Sequence, residues 1–245
     1  LYIGLARTLI RLFATAGMGP SIASTEDLLG KSWRKDPRWR VMRCGINLEP
    51  FKKPVPANVD KAAFGIPENS LVLGSIGRLC AEKNSEFLID VLGEALAVNP
   101  RTYLVMIGEG PLRTALEEKA RAMGIGDHLK LAGTRSDIAD LLRGVFDVFV
   151  FPSPPPPRGN EALPIAVVEA QAAGVPAVIG DGVTTEAIVT PRLVAQVSAD
   201  AGPRMWADAA IAQSKLVSAE NRRLALAELE NSEFNCVQNV KLLAQ

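Results

Sequence analysis

From about Phe64 the chain alternates short, uniformly apolar runs with longer stretches of helical period. Leu71-Val72-Leu73-Gly74-Ser75-Ile76-Gly77 reads as a buried strand ending in glycine. Asn84 stands where it can cap the next helix, with Phe87, Leu88, Val91, Leu92 and Ala95 at helical spacing. Tyr103 to Gly108 predicts a second strand; Pro111 opens a helix through Ala122, and Gly124 closes it. Leu129 to Gly133, Val148 to Phe151 and Ala177 to Gly180 predict three further strands, with helices at Asp137 to Leu142 and Pro164 to Ala173. Strands that are apolar throughout and alternate with helices imply an α/β domain: a Rossmann-like parallel sheet with helices on both faces. Right-handed crossovers put all the strand C-terminal ends on one edge, and ligands of such sheets bind beyond it. The loops after Gly77, Gly108, Gly133 and Ser153 are therefore where chemistry is expected.

The first fifty residues fit this domain poorly. They predict a helix (Leu1 to Ala14), a strand (Pro20 to Ser24), a short helix (Thr25 to Gly30) and a strand (Arg40 to Cys44). Two strands do not make a stable sheet alone. The expectation is a chain that starts inside a preceding domain, with Asn47 to Pro56 as the linker. That gives residues 1–52 as a domain remnant with its linker, 53–230 as the sheet domain, and 231–245 as a C-terminal helix. Beyond Pro203 the pattern is helical, with Trp206, Ala207 and Ile211 in one helix and Leu224, Leu226 and Leu229 in the next. The low-complexity stretch Pro154 to Pro157 falls on the functional edge. Four prolines fix φ and offer no backbone donors, so Pro154 to Asn160 is expected to be a stiff flap outside the sheet.

Composition narrows the function. Hydrophobic residues make up 48% and charged residues 22%, a soluble globular profile. The 27 basic and 27 acidic residues balance, which argues against a nucleic-acid binder but leaves room for a small phosphorylated ligand. Cys44, Cys80 and Cys236 are scattered, with neither metal-ligand spacing nor a disulfide framework, and suggest a reducing compartment. No apolar run approaches the ~20 residues of a membrane span. Arg7 and Arg11 interrupt any signal-peptide core. No Asp-x-Asp pair suited to a divalent metal occurs, so a metal site is not expected.

Several short segments carry candidate chemistry. Gly77-Arg78-Leu79-Cys80-Ala81-Glu82-Lys83-Asn84 leaves a strand end with two cations beside a helix N-terminus. Arg78, as a fork of donors, and Lys83, as a mobile charge, can hold a diphosphate. On spacing alone, solvated loop cations with Glu82 as a partner are the simpler account. Glu161 precedes the helix that opens at Pro164, and Glu169 lies within its apolar run. A carboxylate there needs solvent or donors, and a ribose diol supplies two; on the residues alone an exposed Glu on an amphipathic helix is the simpler account. Gly108-Glu109-Gly110-Pro111 is a tight turn that allows a ligand close, but it fails the dinucleotide fingerprint. In Gly133-Thr134-Arg135-Ser136-Asp137 the backbone can read a base edge, while Ser136 or Asp137 caps the following helix. His128 reads as a surface or capping residue.

The order of these segments carries more than any one of them. Cys44-Gly45-Ile46-Asn47 … Phe51, Gly77-Arg78 … Glu82-Lys83-Asn84, Ile107-Gly108-Glu109-Gly110-Pro111-Leu112, Leu131-Ala132-Gly133, Phe151-Pro152-Ser153 and Glu161-Ala162-Leu163-Pro164 … Glu169-Ala170 together resemble the family-4 retaining glycosyltransferases of the two-Rossmann (GT-B) type. Gly45 to Phe51 and Thr184 to Ile188 resemble the bacterial exopolysaccharide and capsule branch in particular. The resemblance runs from about Ser21 to the C-terminal helices. It implies transfer of a sugar from a nucleotide-diphosphate donor, with retention and without metal, to a saccharide or lipid-linked acceptor held by the N-terminal domain. It implies a cytoplasmic enzyme seated, in some members, at the inner face of the membrane. Catalytic roles fall on Arg78, Lys83 and Glu161. Donor contacts fall on Gly77, Arg78, Lys83, Gly108, Thr134, Arg135, the backbone of Leu163 and Pro164, and Glu169 at the ribose. Two features depart from the family pattern: seven residues, rather than two, separate Ser153 from Glu161, and Ala162 replaces a glycine. Alternative functions on the same residues are a non-catalytic nucleotide-binding module, a GT-B nucleotide-sugar epimerase and, less well matched, a dinucleotide oxidoreductase.

Overall fold

The computed structural model describes residues 2–159 and 161–243. The chain opens with α1 (Tyr2–Phe13), β1 (Gly17–Gly19), α2 (Ile22–Leu29), β2 (Trp39–Val41) and α3 (Glu49–Lys52). β1 and β2 form a small parallel pair. The strand predicted at Pro20–Ser24 is not formed: Ser21 instead caps α2, its Oγ accepting the Ser24 amide at 3.1 Å. Pairing comes earlier, at Gly17 and Gly19, because the strand has to be nearly bare. A Cβ on Gly17 would lie 2.1 Å from the Trp39 ring, and one on Gly19 would lie 1.9 Å from Thr25 Oγ1. A glycine strand has no apolar pattern to read. The strand predicted at Arg40–Cys44 is likewise displaced to Trp39–Val41, after which Ile46 bridges to Asn235.

The expected linker is packed rather than free. Leu48 and Phe51 are buried in the core of the large domain, and Arg143 donates to Pro50 O and Phe51 O, each at 3.1 Å. Beyond it follow β3 (Leu71–Ile76), α4 (Ser85–Val98), β4 (Thr102–Ile107), α5 (Arg113–Ala122), β5 (Leu129–Leu131), α6 (Ile138–Gly144), β6 (Val148–Phe151), α7 (Ile165–Ala172), β7 (Ala177–Gly180), β8 (Val194–Val197), α8 (Gly202–Ser214), α9 (Ala219–Glu230) and α10 (Cys236–Leu243). Six strands pair in parallel in the order β5-β4-β3-β6-β7-β8. The fifth predicted strand pattern is met and one strand is added: β8 is a short, partly exposed edge whose apolar signal is weak. The helix expected to open at Pro111 starts at Arg113, and the one expected from Pro164 starts at Ile165.

Period-two alternation splits the strands' side chains between two cores. Val72, Val105, Phe149, Phe151 and Ile179 pack with α6, α7 and α9 on one face. Leu73, Leu104, Met106, Val150 and Val178 pack with α4, α5 and α8 on the other. Each fully buried aliphatic or aromatic side chain contributes about 1.5–3 kcal/mol. The order of the strands reverses between β3 and β6, so the loops after both open at the same point of the C-terminal edge. No helix among the described residues is long and apolar enough to cross a membrane.

Candidate functional site

The C-terminal edge is built by glycines that let backbones touch. Gly108 has φ +136°, and a Cβ there would stand 2.0 Å from Gly77 O. A Cβ on Gly110 would stand 2.3 Å from Leu79 O. The three loops are sewn together at this point: Gly77 N donates to Ile107 O (2.9 Å), Leu79 N to Glu109 O (3.0 Å), and Gly108 N to Gly133 O (2.9 Å). Gly77, Gly108 and Gly133, which the sequence places far apart, thus form one continuous floor.

Arg78 and Lys83 rise from this floor. Arg78 is exposed and has no ion-pair partner among the described residues. Gly77, Arg78 and Lys83 line one small pocket together with Ile107 and Phe151. Glu82 is not Lys83's partner. Lys83 Nζ instead pairs with Glu161 Oε1, and it sits 5.2 Å from the centre of the Phe151 ring. Ser153, fully buried, donates its hydroxyl to the same Glu161 oxygen at 3.3 Å. A cation over an aromatic face, with a nearly buried carboxylate beside it (10% exposed), is a strongly oriented charge pair. Asn84 does not cap α4 with its side chain; it adopts φ 55° and donates Nδ2 to Pro152 O at 3.3 Å, drawing the Lys83 loop to the end of β6. The Glu82 carboxyl is held below its usual range by its own backbone amide and by the Cys80 thiol, with Arg78 and Lys83 adding attraction. The Cys80 thiol is pushed up, first by burial and then by its hydrogen bond with Glu82.

Comparison with known proteins gives this edge a context. A family profile described as glycosyl transferases group 1 matches residues 57–223. The chain belongs to that family. It is 32% identical over 238 residues to EpsF of Bacillus subtilis (strain 168), covering 97% of this chain and 60% of EpsF. It is 30% identical over 145 residues to an Escherichia coli UDP-Gal:alpha-D-GlcNAc-diphosphoundecaprenol alpha-1,3-galactosyltransferase, covering 58% of this chain and 36% of that enzyme. Among solved structures, Anabaena HepE in complex with UDP-glucose superposes with a TM-score of 0.81 at 20% identity, over 99% of this chain and 66% of HepE. The chain therefore spans about three fifths of EpsF, and the likeness to HepE is one of fold, the GT-B glycosyltransferase fold.

In this group 1 glycosyltransferase chain, Leu163 and Pro164 stand at the N-terminus of α7, Pro164 in the cap position. Glu169 lies in the second turn of that helix, half-buried, and its side chain makes no hydrogen bond or ion pair among the described residues. Burial pushes its carboxyl above the usual range. Thr134 follows the Gly133 floor. Arg135, expected at a base, is locked onto Asp137 through Nε at 2.8 Å and Nη2 at 2.5 Å, so Asp137 does not cap α6 with its side chain. The flap is anchored at both ends: Pro154 is buried, and a Cβ on Gly159 would meet Pro154 O at 2.4 Å. Pro156, Pro157 and Arg158 are exposed between them, Arg158 paired with Asp200 at 2.8 and 2.9 Å. Asn160, the predicted end of the flap, lies outside the described residues. Phe151 and Ser153 are the site residues that reasoning from charge and glycine missed. Phe151-Pro152-Ser153 stood in the sequence as one of the segments resembling the family, without a role; a buried strand residue gives no hint that its ring carries a lysine.

Proposed function

We propose that this edge is the donor site of an enzyme that transfers a sugar from a nucleoside-diphosphate sugar to a saccharide or lipid-linked acceptor, with retention and without metal, in exopolysaccharide or cell-surface glycan synthesis. The observation that carries the reading is the Lys83–Glu161 pair beside Arg78, at the point where the strand order reverses. Arg78 and Lys83 bind the diphosphate and neutralise the charge that develops on it as the glycosidic bond breaks. Glu161 lies beside the donor sugar. The backbone at Leu163 and Pro164, with the N–H groups of Leu163 and of Ile165 onward, presents the positive end of α7 to the phosphates. Glu169 accepts from the ribose hydroxyls, and the turn at Thr134 and Arg135 meets the base with its backbone, since the Arg135 side chain is engaged by Asp137. Support from relatives comes from HepE, solved with UDP-glucose, and from the galactosyltransferase named for its UDP-Gal donor.

In this reading residues 53–230 are the donor-binding domain, 1–52 belong with an acceptor-side domain, and the C-terminal helix is α10, Cys236–Leu243. The acceptor is held on the N-terminal side, in a cytoplasmic enzyme that works at the inner face of the membrane. Calorimetric titration with ADP, GDP and UDP in the presence of EDTA tests the core of the proposal. Binding of one of them, weakened in Arg78→Ala and Lys83→Ala, is the expected result; no binding by the wild type would overturn it.

A further inference from the structure

The donor edge is tied to the N-terminal segment by one carboxylate that the site description does not use. Glu186 lies in the loop after β7, and its Oε2 and Oε1 accept the amides of Ile22 (2.9 Å) and Ala23 (3.2 Å), 164 and 163 residues away. Those amides are the unpaired donors of the first turn of α2, where a negative charge is stabilised. Glu186 also pairs with Arg43, and the two side chains are only 16% and 12% exposed. Arg43 reaches Pro20 O at 3.3 Å and Glu233 at 3.4 Å, and its own carbonyl accepts from Asn239 Nδ2 at 2.8 Å. Arg43 therefore joins the N-terminal segment to the loop after β7 through its side chain and to α10 through its carbonyl.

The other end of the same loop is in the candidate site. Val183 forms a parallel bridge with Glu161, and Gly182 N donates to Ser153 O at 3.2 Å. Between the two ends the loop is stiff. Glu186 N bonds Thr184 Oγ1 at 3.3 Å, and residues Thr185–Ala187 make a helical turn. Gln171, fully buried on α7, donates to Ala187 O at 2.7 Å and accepts from Val189 N and Thr190 N at 2.8 and 2.9 Å. The loop is thus held at Val183 to Glu161 and at Ala187–Thr190 to Gln171, with Glu186 between the two attachments.

We propose that Glu186 is a positioning residue: through the stiff loop 183–190 it sets the N-terminal segment against the donor edge and makes that placement respond to the donor phosphates. The inference rests on the donor-site reading above. Amide hydrogen exchange, with and without saturating UDP, GDP or ADP, tests it in the whole chain, using wild type, Glu186→Gln and Arg43→Gln. In the wild type the bound nucleotide should slow exchange at Gly77–Lys83 and also at Ile22 and Ala23, the latter by about fivefold or more, the lower end of ordinary site-to-site coupling. Both variants should keep the response at Gly77–Lys83 and lose it at Ile22 and Ala23, with the β3 amides protected as in the wild type. An ion pair that is only structural would change exchange at Ile22 and Ala23 equally with and without nucleotide. A wild type that responds at Gly77–Lys83 but not at Ile22 and Ala23 overturns the inference alone, as does either variant that keeps the remote response. A wild type whose 77–83 amides ignore every nucleotide sinks the donor-site reading and the inference with it.

Discussion

Lys83 and Glu161, 78 residues apart in the chain, form an ion pair over the face of Phe151 at the C-terminal edge of the sheet. The pair has a consequence for binding. A diphosphate must either share Lys83 with Glu161 or displace it. Lys83→Ala should weaken nucleoside-diphosphate binding by about 1.5–3 kcal/mol, the scale of a hydrogen bond to a charged group. Glu161→Gln should act in the opposite direction on the bare diphosphate, because the lysine is released from a competing carboxylate. Isothermal titration of both variants checks this, and weaker binding in Glu161→Gln would show that the carboxylate organises the phosphate site rather than competing with it.

Gly108 and Gly124 both have positive φ, but only Gly108 faces a backbone. Gly108→Ala brings a Cβ to 2.0 Å from Gly77 O and should cost roughly 2–5 kcal/mol, strain and overpacking together. Gly124→Ala meets nothing within 4 Å and should cost only the left-handed penalty, roughly 1–2 kcal/mol. Urea denaturation of the two variants measures the difference; equal losses would mean that the loop after β4 yields easily.

Glu169 has a carboxyl raised by burial. A raised acid pKa means that the folded state binds the proton more tightly than the unfolded state. Its contribution to stability is therefore fully present below the unfolded pKa and is lost as pH rises through the folded value. Glu169→Gln should be more stable than wild type at neutral pH and gain little near pH 4. The same variant should bind a ribonucleoside diphosphate less selectively over its deoxy analogue. Thermal melts across pH test the first statement, and paired titrations test the second.

The Arg158–Asp200 pair is bidentate but exposed on both sides, at 53% and 71%. Arg158→Ala should change global stability by no more than about 1 kcal/mol. If the proline segment shields the donor sugar, the variant should alter the ratio of affinities for sugar nucleotide and bare nucleotide more than either stability or nucleotide affinity. A melting temperature that drops sharply would instead make the segment part of the core.

Much of the fold was legible because parallel strands buried on both faces are written as continuous apolar runs. The runs around Leu73, Val105 and Val150 identified the sheet, and the glycines after them marked its working edge. Arg78, Lys83, Glu161 and Glu169 could be named as candidates because charges next to strand ends and inside apolar helices stand out. What remained for tertiary structure was every relationship that depends on which segments meet. β1, Gly17-Met18-Gly19, has one exposed side chain and so no pattern, and its place was decided by the Trp39 ring and Thr25 lying against its glycines. β8 is an edge strand, stabilised by one neighbour and so under little compositional demand. Whether Lys83 would pair with Glu82, one residue away, or with Glu161 was settled by the loop geometry that turns the lysine over Phe151. Glu186 was only part of a recognisable segment until folding brought the amide end of α2 and the Arg43 guanidinium to it. Periodicity is local, so one sequence suffices to read it; pairing of charges across more than a hundred residues depends on chain path, and only the packed structure supplies that.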